Sequence, residues 1–425
     1  MSKKEIEVYF EKIGHNGVSI GKLNGKVVFA YGVLPGERAK VRILKEKKNF
    51  IEGEIVEIIE KSKNRVEFKE DHYLSCSPWQ CFSYDFQIET KKNLLKEIFF
   101  EFAKENLELN EFYPANNIFE YRTKIEYSFL KEEKYYLAFY KRNNPFEKIK
   151  LKNGCLLINK KANESALKIL EEINKQNLDG LKSLILRFSQ SNKEVLAVLL
   201  VNNKKVKFDF NLENLVGFIL AYSNPKSPAS NFDEVLLIKG REYLREKILN
   251  LEFKYLYKSF FQNNIELFEK AIEVMKKYCQ DSQKLLDLYC GVGIIGILLN
   301  EYSKNIIGVD IDKEAIAYAK INAELNNVKN FKGIVLASEK IPQDLINKTD
   351  ILILDPPRAG LPKKLISNII KEKPQKIFYL SCNPLTQARD FYYLKDFYKV
   401  LGFYGFDFYP NTPHIESLLI LEIKK

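Results

Sequence analysis

KLLDLYCGVGIIGILLNEY, residues 284–302, is the stretch from which the fold of this chain is read. A short apolar run ends at Tyr289, three glycines follow at 291, 293 and 296, and an apolar helical pattern resumes at once. Strand, glycine loop and helix in that order form the opening unit of a doubly wound sheet, where glycines allow a tight turn and close approach of a ligand. The alternation then repeats: NIIGVDI leads into KEAIAYAKINAELN, ILILD into PKKLISNIIKE, and KIFYL into LTQARDFYYLKDF. Continuous apolar strands alternating with amphipathic helices predict an α/β unit, a parallel sheet covered on both faces, over residues 251–425. Ligands in such sheets bind at the carboxyl ends of the strands, so those loops carry the functional reading.

Gly291 and Gly293 open the first loop, and Asp310 ends the next strand nineteen residues after Gly291. An acid at that spacing accepts hydrogen bonds from ribose hydroxyls, which points to a nucleoside ligand. Asp287 just ahead of the glycines disfavours an anionic pyrophosphate and suits a cationic sulfonium, so S-adenosylmethionine is the expected cofactor. In the third loop Asp355 is followed by Pro356, Pro357 and Arg358; the two prolines hold the acid rigidly at the strand end, with a solvated turn acid as the plainer alternative. Amino-directed methyltransferases place an aromatic residue after the two prolines, where this chain has Arg358. The fourth strand ends at Ser381-Cys382-Asn383-Pro384. A lone cysteine is commonly a small buried hydrophobe. Here Asn383 as N-cap and Pro384 as first helical residue place the thiol at a helix N-terminus, where its pKa is expected to fall and Cys382 to act as a nucleophile. Finally FDFYPNTPHIESLLILEIKK holds Thr412, His414 and Glu416 before an apolar strand; Glu416 is a candidate general base, the alternative being a surface carboxylate.

Outside this unit the chain reads differently. Residues 1–60 are short alternating apolar segments broken by Gly14, Gly17, Gly21, Gly25 and the turn at 34–37, the pattern of a small β-barrel whose lysines suit a phosphate backbone. Residues 70–250 mix strand-like stretches (YRTKIEYSFL, EVLAVLLV) with a helix, KANESALKILEEINKQ, whose Ala166, Leu167, Ile169, Leu170 and Ile173 share a face. A polar loop, SNPKSPASNF at 223–232, is a candidate binding loop. With 67 Lys and Arg against 56 Asp and Glu, the net charge of +11 favours a polyanionic partner such as RNA. Six dispersed cysteines fit a reducing, cytoplasmic protein. No run approaches the roughly 18 apolar residues of a membrane span. Three scattered histidines argue against a histidine-rich zinc site.

DLYCGVG, DPPRAGL, SCNP and TPHIE, in this order, resemble the bacterial RNA uracil-5 methyltransferases, which make 5-methyluridine in ribosomal or transfer RNA. Residues 1–60 resemble the TRAM module, an RNA-binding barrel. The resemblance implies a Rossmann-like S-adenosylmethionine-dependent methyltransferase domain at 251–425, a central mixed α+β RNA-binding domain at 70–250, and the barrel at 1–60. It implies that Cys382 adds to carbon 6 of uracil and that Glu416 removes the proton from carbon 5. It places donor contacts at Gln262, Tyr289, Asp310 and Asp355, and requires the target base to leave its stack.

Ribosomal-RNA members of that family commonly hold an iron–sulfur cluster on four cysteines, three of them closely spaced. HYLSCSPWQCFSYDFQ offers only Cys76 and Cys81, and Cys155 lies far downstream, so no cluster is expected and no metal ligands are assigned; whether these three thiols bind another metal is left open by the sequence. The barrel favours ribosomal over transfer RNA, and a monomer without obligate protein partners is expected. A cytosine-5 enzyme would also use a thiolate, and a non-catalytic RNA-binding factor could retain the architecture; intact Cys382, Glu416, Asp355 and glycine loop argue against the latter.

Overall fold

The computed structural model describes residues 4–209, 211, 213–227 and 231–425. The candidate binding loop at 223–232 therefore lies partly outside the described residues.

Five strands, Glu5–Ile13, Ser19–Leu23, Lys26–Ala30, Arg38–Glu46 and Phe50–Glu60, close into a barrel. Alternation along the first strand turns Val8, Phe10 and Ile13 inward. Val28, Ala39, Val41 and Ile51 fill the same interior. Gly53 is required there, since a Cβ would meet Val41 Cγ1 at 2.1 Å. The barrel is tied to the following segment by a bidentate pair: Arg65 Nε and Nη2 donate to the buried Glu37 carboxylate at 2.6 and 2.7 Å. At the same end Trp79 Nε1 donates to the Gly17 carbonyl at 3.1 Å. Gly17, with φ +75°, packs so closely on Pro413 that no Cβ fits.

The middle of the chain forms a seven-stranded sheet in the order Glu234–Gly240, Gly217–Tyr222, Val195–Val201, Leu181–Phe188, Lys124–Lys131, Tyr135–Lys141, Asn144–Lys150. The helix Lys160–Lys175 packs on it through Ala162, Ala166, Ile169 and Ile173. Asn159 caps that helix by accepting from Lys161 N.

The last third forms an eight-stranded sheet in the order Phe331–Val335, Ser303–Asp310, Ser282–Leu288, Ile351–Leu354, Lys376–Ser381, Glu416–Ile423, Tyr398–Phe406, Glu111–Tyr113. The first five strands are mutually parallel, as expected, and Glu416–Ile423 enters antiparallel to Lys376–Ser381. Strand order reverses between Ser282–Leu288 and Ile351–Leu354, which opens the crevice that ligands use in this architecture. Lys376–Ser381 is buried on both faces: Ile377 and Tyr379 join the helices Lys363–Glu372 and Pro384–Leu394, while Phe378 and Leu380 face Ile265–Tyr278.

The helix after the glycine loop is shorter than its apolar pattern predicts. It spans Ile294–Leu298, where Asn300 Nδ2 turns back to the Ile297 carbonyl at 2.7 Å, and a 3-10 turn follows. Residues ahead of the seven-stranded sheet also join this unit. The helix Tyr84–Ile98 buries Leu94, Leu95 and Ile98 in the core that holds Leu286, Leu352 and Tyr379, and Glu111–Tyr113 pairs in parallel with Tyr398–Phe406. Among the described residues no helix is long and apolar enough to cross a membrane.

Candidate active site

Four strand ends meet at the switch point. At the first, the backbone turns sharply: Tyr289 has φ +62°, Gly291 +53° and Gly293 +84°. Gly291 N donates to Asp310 Oδ2 at 2.9 Å, so the second strand end clamps the loop of the first. Asp310 Oδ1 accepts from Asp312 N at 2.9 Å. Beneath the loop Asp287 is 1% exposed; its Oδ2 accepts from Gly296 N at 2.9 Å while Oδ1 has no hydrogen-bond partner. Burial pushes its carboxyl up to about 8, against the Gly296 hydrogen bond and with help from Asp355 and Asp310.

Asp355 ends the third strand and accepts from Gln262 Nε2 at 3.2 Å; burial raises it to about 7. The next residues link this loop to the cysteine loop. The Arg358 carbonyl accepts from Asn383 Nδ2 at 2.8 Å and from Thr386 Oγ1 at 3.2 Å. Asn383 is the N-cap residue and Pro384 starts the helix, as expected, but the Asn383 side chain makes no cap hydrogen bond.

Cys382 is partly buried, and here the expectation of an acidified thiol is corrected. Burial first, then the neighbouring Glu416 and Asp355 carboxyls, push the Cys382 thiol up to about 11, opposed by Arg358. Glu416 is 3% exposed rather than a surface carboxylate. Its carboxyl is held well above the usual range by burial and by Asp355, again opposed by Arg358. Ser381 pairs with Ser417 at the end of the antiparallel register, so one step further Cys382 and Glu416 stand opposite each other.

Gln262, Tyr289, Gly291, Asp310, Asp355, Cys382 and Glu416 line one cavity of about 830 Å³. Gly293 sits behind the wall, against Ala319 and Ile297. Ile311 and Phe260, exposed by 71% and 69%, give the cavity apolar faces suited to a purine. Asp310, Glu339, Asp355 and Glu416 line the cavity against two arginines, Arg122 and Arg358, an excess of acids that suits a cationic ligand.

Sequence reasoning missed part of this wall. Arg122 and Asn263 also line the cavity, and Arg122 Nε and Asn263 Oδ1 are buried without hydrogen-bond partners. They are joined through Thr123, whose N donates to the Asn263 carbonyl and whose Oγ1 donates to the Gln262 carbonyl at 2.7 Å. Nothing in YRTKIEY marks Arg122 as a site residue. Equally unannounced is the fully buried Lys91, whose Nζ donates to Asp407 Oδ1 at 2.5 Å and fixes the start of the loop that carries His414 to Glu416. A second cleft, of about 270 Å³, runs from Cys382 and Arg358 to His15 and Asn16 of the barrel.

Comparison with known proteins accounts for the whole layout. A family model described as tRNA (uracil-5-)-methyltransferase matches residues 83–424, and a TRAM domain model matches residues 1–56. An RNA methyltransferase of Caldanaerobacter subterraneus subsp. tengcongensis is 32% identical over 99% of this chain and 100% of its own length. One from Nanoarchaeum equitans is 30% identical over 98% of this chain and 93% of its own. The crystal structure of Pyrococcus abyssi tRNA (uracil-54, C5)-methyltransferase in complex with S-adenosyl-L-homocysteine superimposes with a TM-score of 0.79, at 25% identity, covering 98% of this chain and 100% of that one. A closed five-stranded barrel, a crevice at the switch point and these matches lead to one conclusion: the chain belongs to the tRNA (uracil-5-)-methyltransferase family, with a TRAM domain at its N-terminus.

Proposed function

We propose that this chain transfers a methyl group from S-adenosylmethionine to carbon 5 of a uridine in RNA through a covalent adduct at Cys382. The observation that carries this reading is the placement of Cys382 and Glu416 opposite each other in the cavity that also holds Gln262, Asp310 and Asp355. The Pyrococcus neighbour was solved with the demethylated form of the same donor. Gln262, Tyr289, Gly291, Asp310 and Asp355 hold the donor, and Gly293 shapes the turn behind them: Asp310 keeps lone pairs for ribose hydroxyls, and Gln262 and Asp355 form the adjoining wall.

When bound, the donor supplies an electrophilic methyl group on a cationic sulfur. Its positive charge favours the ionised forms of Asp355, Glu416 and Cys382, all of which burial disfavours. Thiolate attack at carbon 6 then forms the S–C6 bond and moves the C5–C6 π pair into an enolate, helped by donors such as Arg122 near the developing charge. Carbon 5 takes the methyl carbon as the sulfonium–methyl bond breaks. Glu416 next removes the proton from carbon 5; the C5–C6 double bond re-forms and the S–C6 bond breaks, restoring Cys382. One proton leaves for each methyl gained.

The RNA approaches along the cleft between the barrel residues His15 and Asn16 and Cys382, with the target base flipped out of its stack. On this reading residues 1–60 and 70–250 bind RNA and 251–425 perform the chemistry with Arg122 of the central region in the same cavity, in a cytoplasmic monomer. Ribosomal RNA is the first target to test. Transfer RNA is the second reading, favoured because the Pyrococcus transfer-RNA enzyme matches this chain over its full length, barrel included. Nucleoside analysis of both RNA pools from a strain lacking the gene decides: loss of 5-methyluridine from one pool names the target, and loss from neither overturns the proposal.

A further inference from the structure

Away from the active site, four residues of different types converge. One oxygen of Glu70, a ring nitrogen of His72 and the Sγ atoms of Cys76 and Cys155 all lie within 4.8 Å of one another. We propose that Glu70, His72, Cys76 and Cys155 hold one zinc ion. Glu70, His72 and Cys155 are 8%, 7% and 1% exposed. His72 Nε2 is buried and makes no well-formed hydrogen bond, and it lies 3.2 Å from Glu70 Oε1, so it is aimed into the cluster with another candidate ligand as its neighbour.

The neighbours hold the ligands in place for a metal. Glu70 Oε1 accepts from Leu156 N at 2.7 Å and Oε2 from Gln80 Nε2 at 3.2 Å, which fixes the carboxylate plane. Cys155 is gripped on both backbone sides: its N donates to Tyr127 Oη and Asn163 Oδ1, and its carbonyl accepts from Asn163 Nδ2 at 2.8 Å. Oriented ligands of this kind raise metal affinity about tenfold or more.

Ligand chemistry selects the ion. Two thiols with an imidazole and a carboxylate suit zinc and exclude magnesium or calcium, which take oxygen ligands. With bonds of about 2.0–2.3 Å, tetrahedral edges run to roughly 3.3–3.8 Å, reached from the present spacing by small side-chain movements. The iron–sulfur cluster common in relatives does not fit: it takes four thiolates around a body several atoms wide, and Cys81, the remaining thiol in this region, is not in the group and has its Sγ at 4.0 Å from the Pro78 carbonyl. Four protein ligands close the coordination shell, so the ion is structural. It would clamp the segment leaving the barrel onto the loop that precedes the helix Lys160–Lys175, and thereby fix the barrel relative to the central sheet.

The test is metal analysis of the full chain, purified under reducing conditions without chelators. About one zinc per chain is expected, falling about tenfold or more in Cys76→Ser/Cys155→Ser and unchanged in Cys81→Ser. Cobalt replacement should give intense visible bands with thiolate charge transfer, the signature of a tetrahedral thiolate site. Because the double variant can misfold, competition of the metal-stripped wild-type chain against a chromophoric zinc chelator provides an independent readout. Failure to compete, iron in place of zinc with or without acid-labile sulfide, or a Cys76–Cys155 disulfide in the reduced preparation overturns the proposal.

Discussion

Cys382 and Glu416 face each other one residue beyond the Ser381–Ser417 pair, at the open end of two antiparallel strands. Cys382 follows the last residue of its strand and Glu416 opens the neighbouring one, so the proposed nucleophile and base are each anchored by a buried strand end. That rigidity allows their roles to be separated by substitution. Cys382→Ala should lower 5-methyluridine formation by at least about a thousandfold and abolish the adduct with 5-fluorouridine RNA. Glu416→Gln should also stop turnover but accumulate a methylated covalent RNA complex on ordinary substrate, visible as a retarded band in denaturing gels. An adduct that persists in Cys382→Ala would falsify the assignment of the nucleophile.

The thiol at that position is not reactive by itself. At about 11, its pKa leaves roughly one part in a thousand as thiolate at pH 8. A sulfonium in the cavity adds positive charge among Asp355, Glu416 and Cys382, and an opposite charge within about 4–6 Å lowers an acid by about one unit or more. Alkylation of Cys382 by iodoacetamide, followed on its own peptide by mass spectrometry, should therefore titrate about one pH unit lower with S-adenosylmethionine than with S-adenosylhomocysteine. The two ligands share a shape and differ in charge, so equal titrations would show that charge does not activate the thiol.

The strand ends that build the site were legible in the sequence because each is marked by residues that break a pattern: Gly291 and Gly293, Asp355 before two prolines, Cys382 before Asn383-Pro384. The barrel was legible from alternation and glycine turns. Its charge was not: Lys26, Arg38, Lys40, Arg42 and Lys45 each pair with a barrel glutamate, so the excess cations lie elsewhere. Arg122, Asn263 and the Lys91–Asp407 pair escaped because their meaning comes from long-range packing, which leaves no local pattern. The thiol pKa was misjudged for a related reason. A helix N-terminus is visible in Asn383-Pro384, whereas the burial and the two carboxyls that outweigh it arrive from other strands.

Asp287 should make stability depend on pH in a direction opposite to an ordinary carboxylate. Its carboxyl ionises near 3.9 in the unfolded chain and at about 8 in the folded one. Between those values the folded state retains a proton that the unfolded state has lost, so stability falls as pH rises through the window and is greatest below it. Asp287→Asn keeps an acceptor for Gly296 N and removes the ionisation. Thermal unfolding should show the variant gaining about 1–3 kcal/mol at pH 8 relative to its standing at pH 5. A difference between variant and wild type that does not change with pH would mean that Asp287 is ionised in the folded chain.

Gln262 and Arg122 share one wall, joined through Thr123, and differ in their partners. Gln262 Nε2 donates to Asp355, beside the donor loops, whereas Arg122 Nε is buried with no partner in the free protein. The Nε–H of Arg122 gains a hydrogen bond only when something else fills the space. Gln262→Ala should therefore weaken S-adenosylhomocysteine binding by about 5–30-fold, the equivalent of about 1–2 kcal/mol, in calorimetric titration without RNA. Arg122→Ala should leave that affinity within about twofold and lower single-turnover methylation of saturating RNA by about a hundredfold, the scale of removing one donor to a developing oxyanion. Arg122→Lys should not rescue the rate, because an ammonium cannot reproduce the planar guanidinium fork. If instead Arg122→Ala impairs ligand binding while Gln262→Ala slows only the chemistry, the two residues have been assigned the wrong way round, and the uracil lies on the Gln262 side.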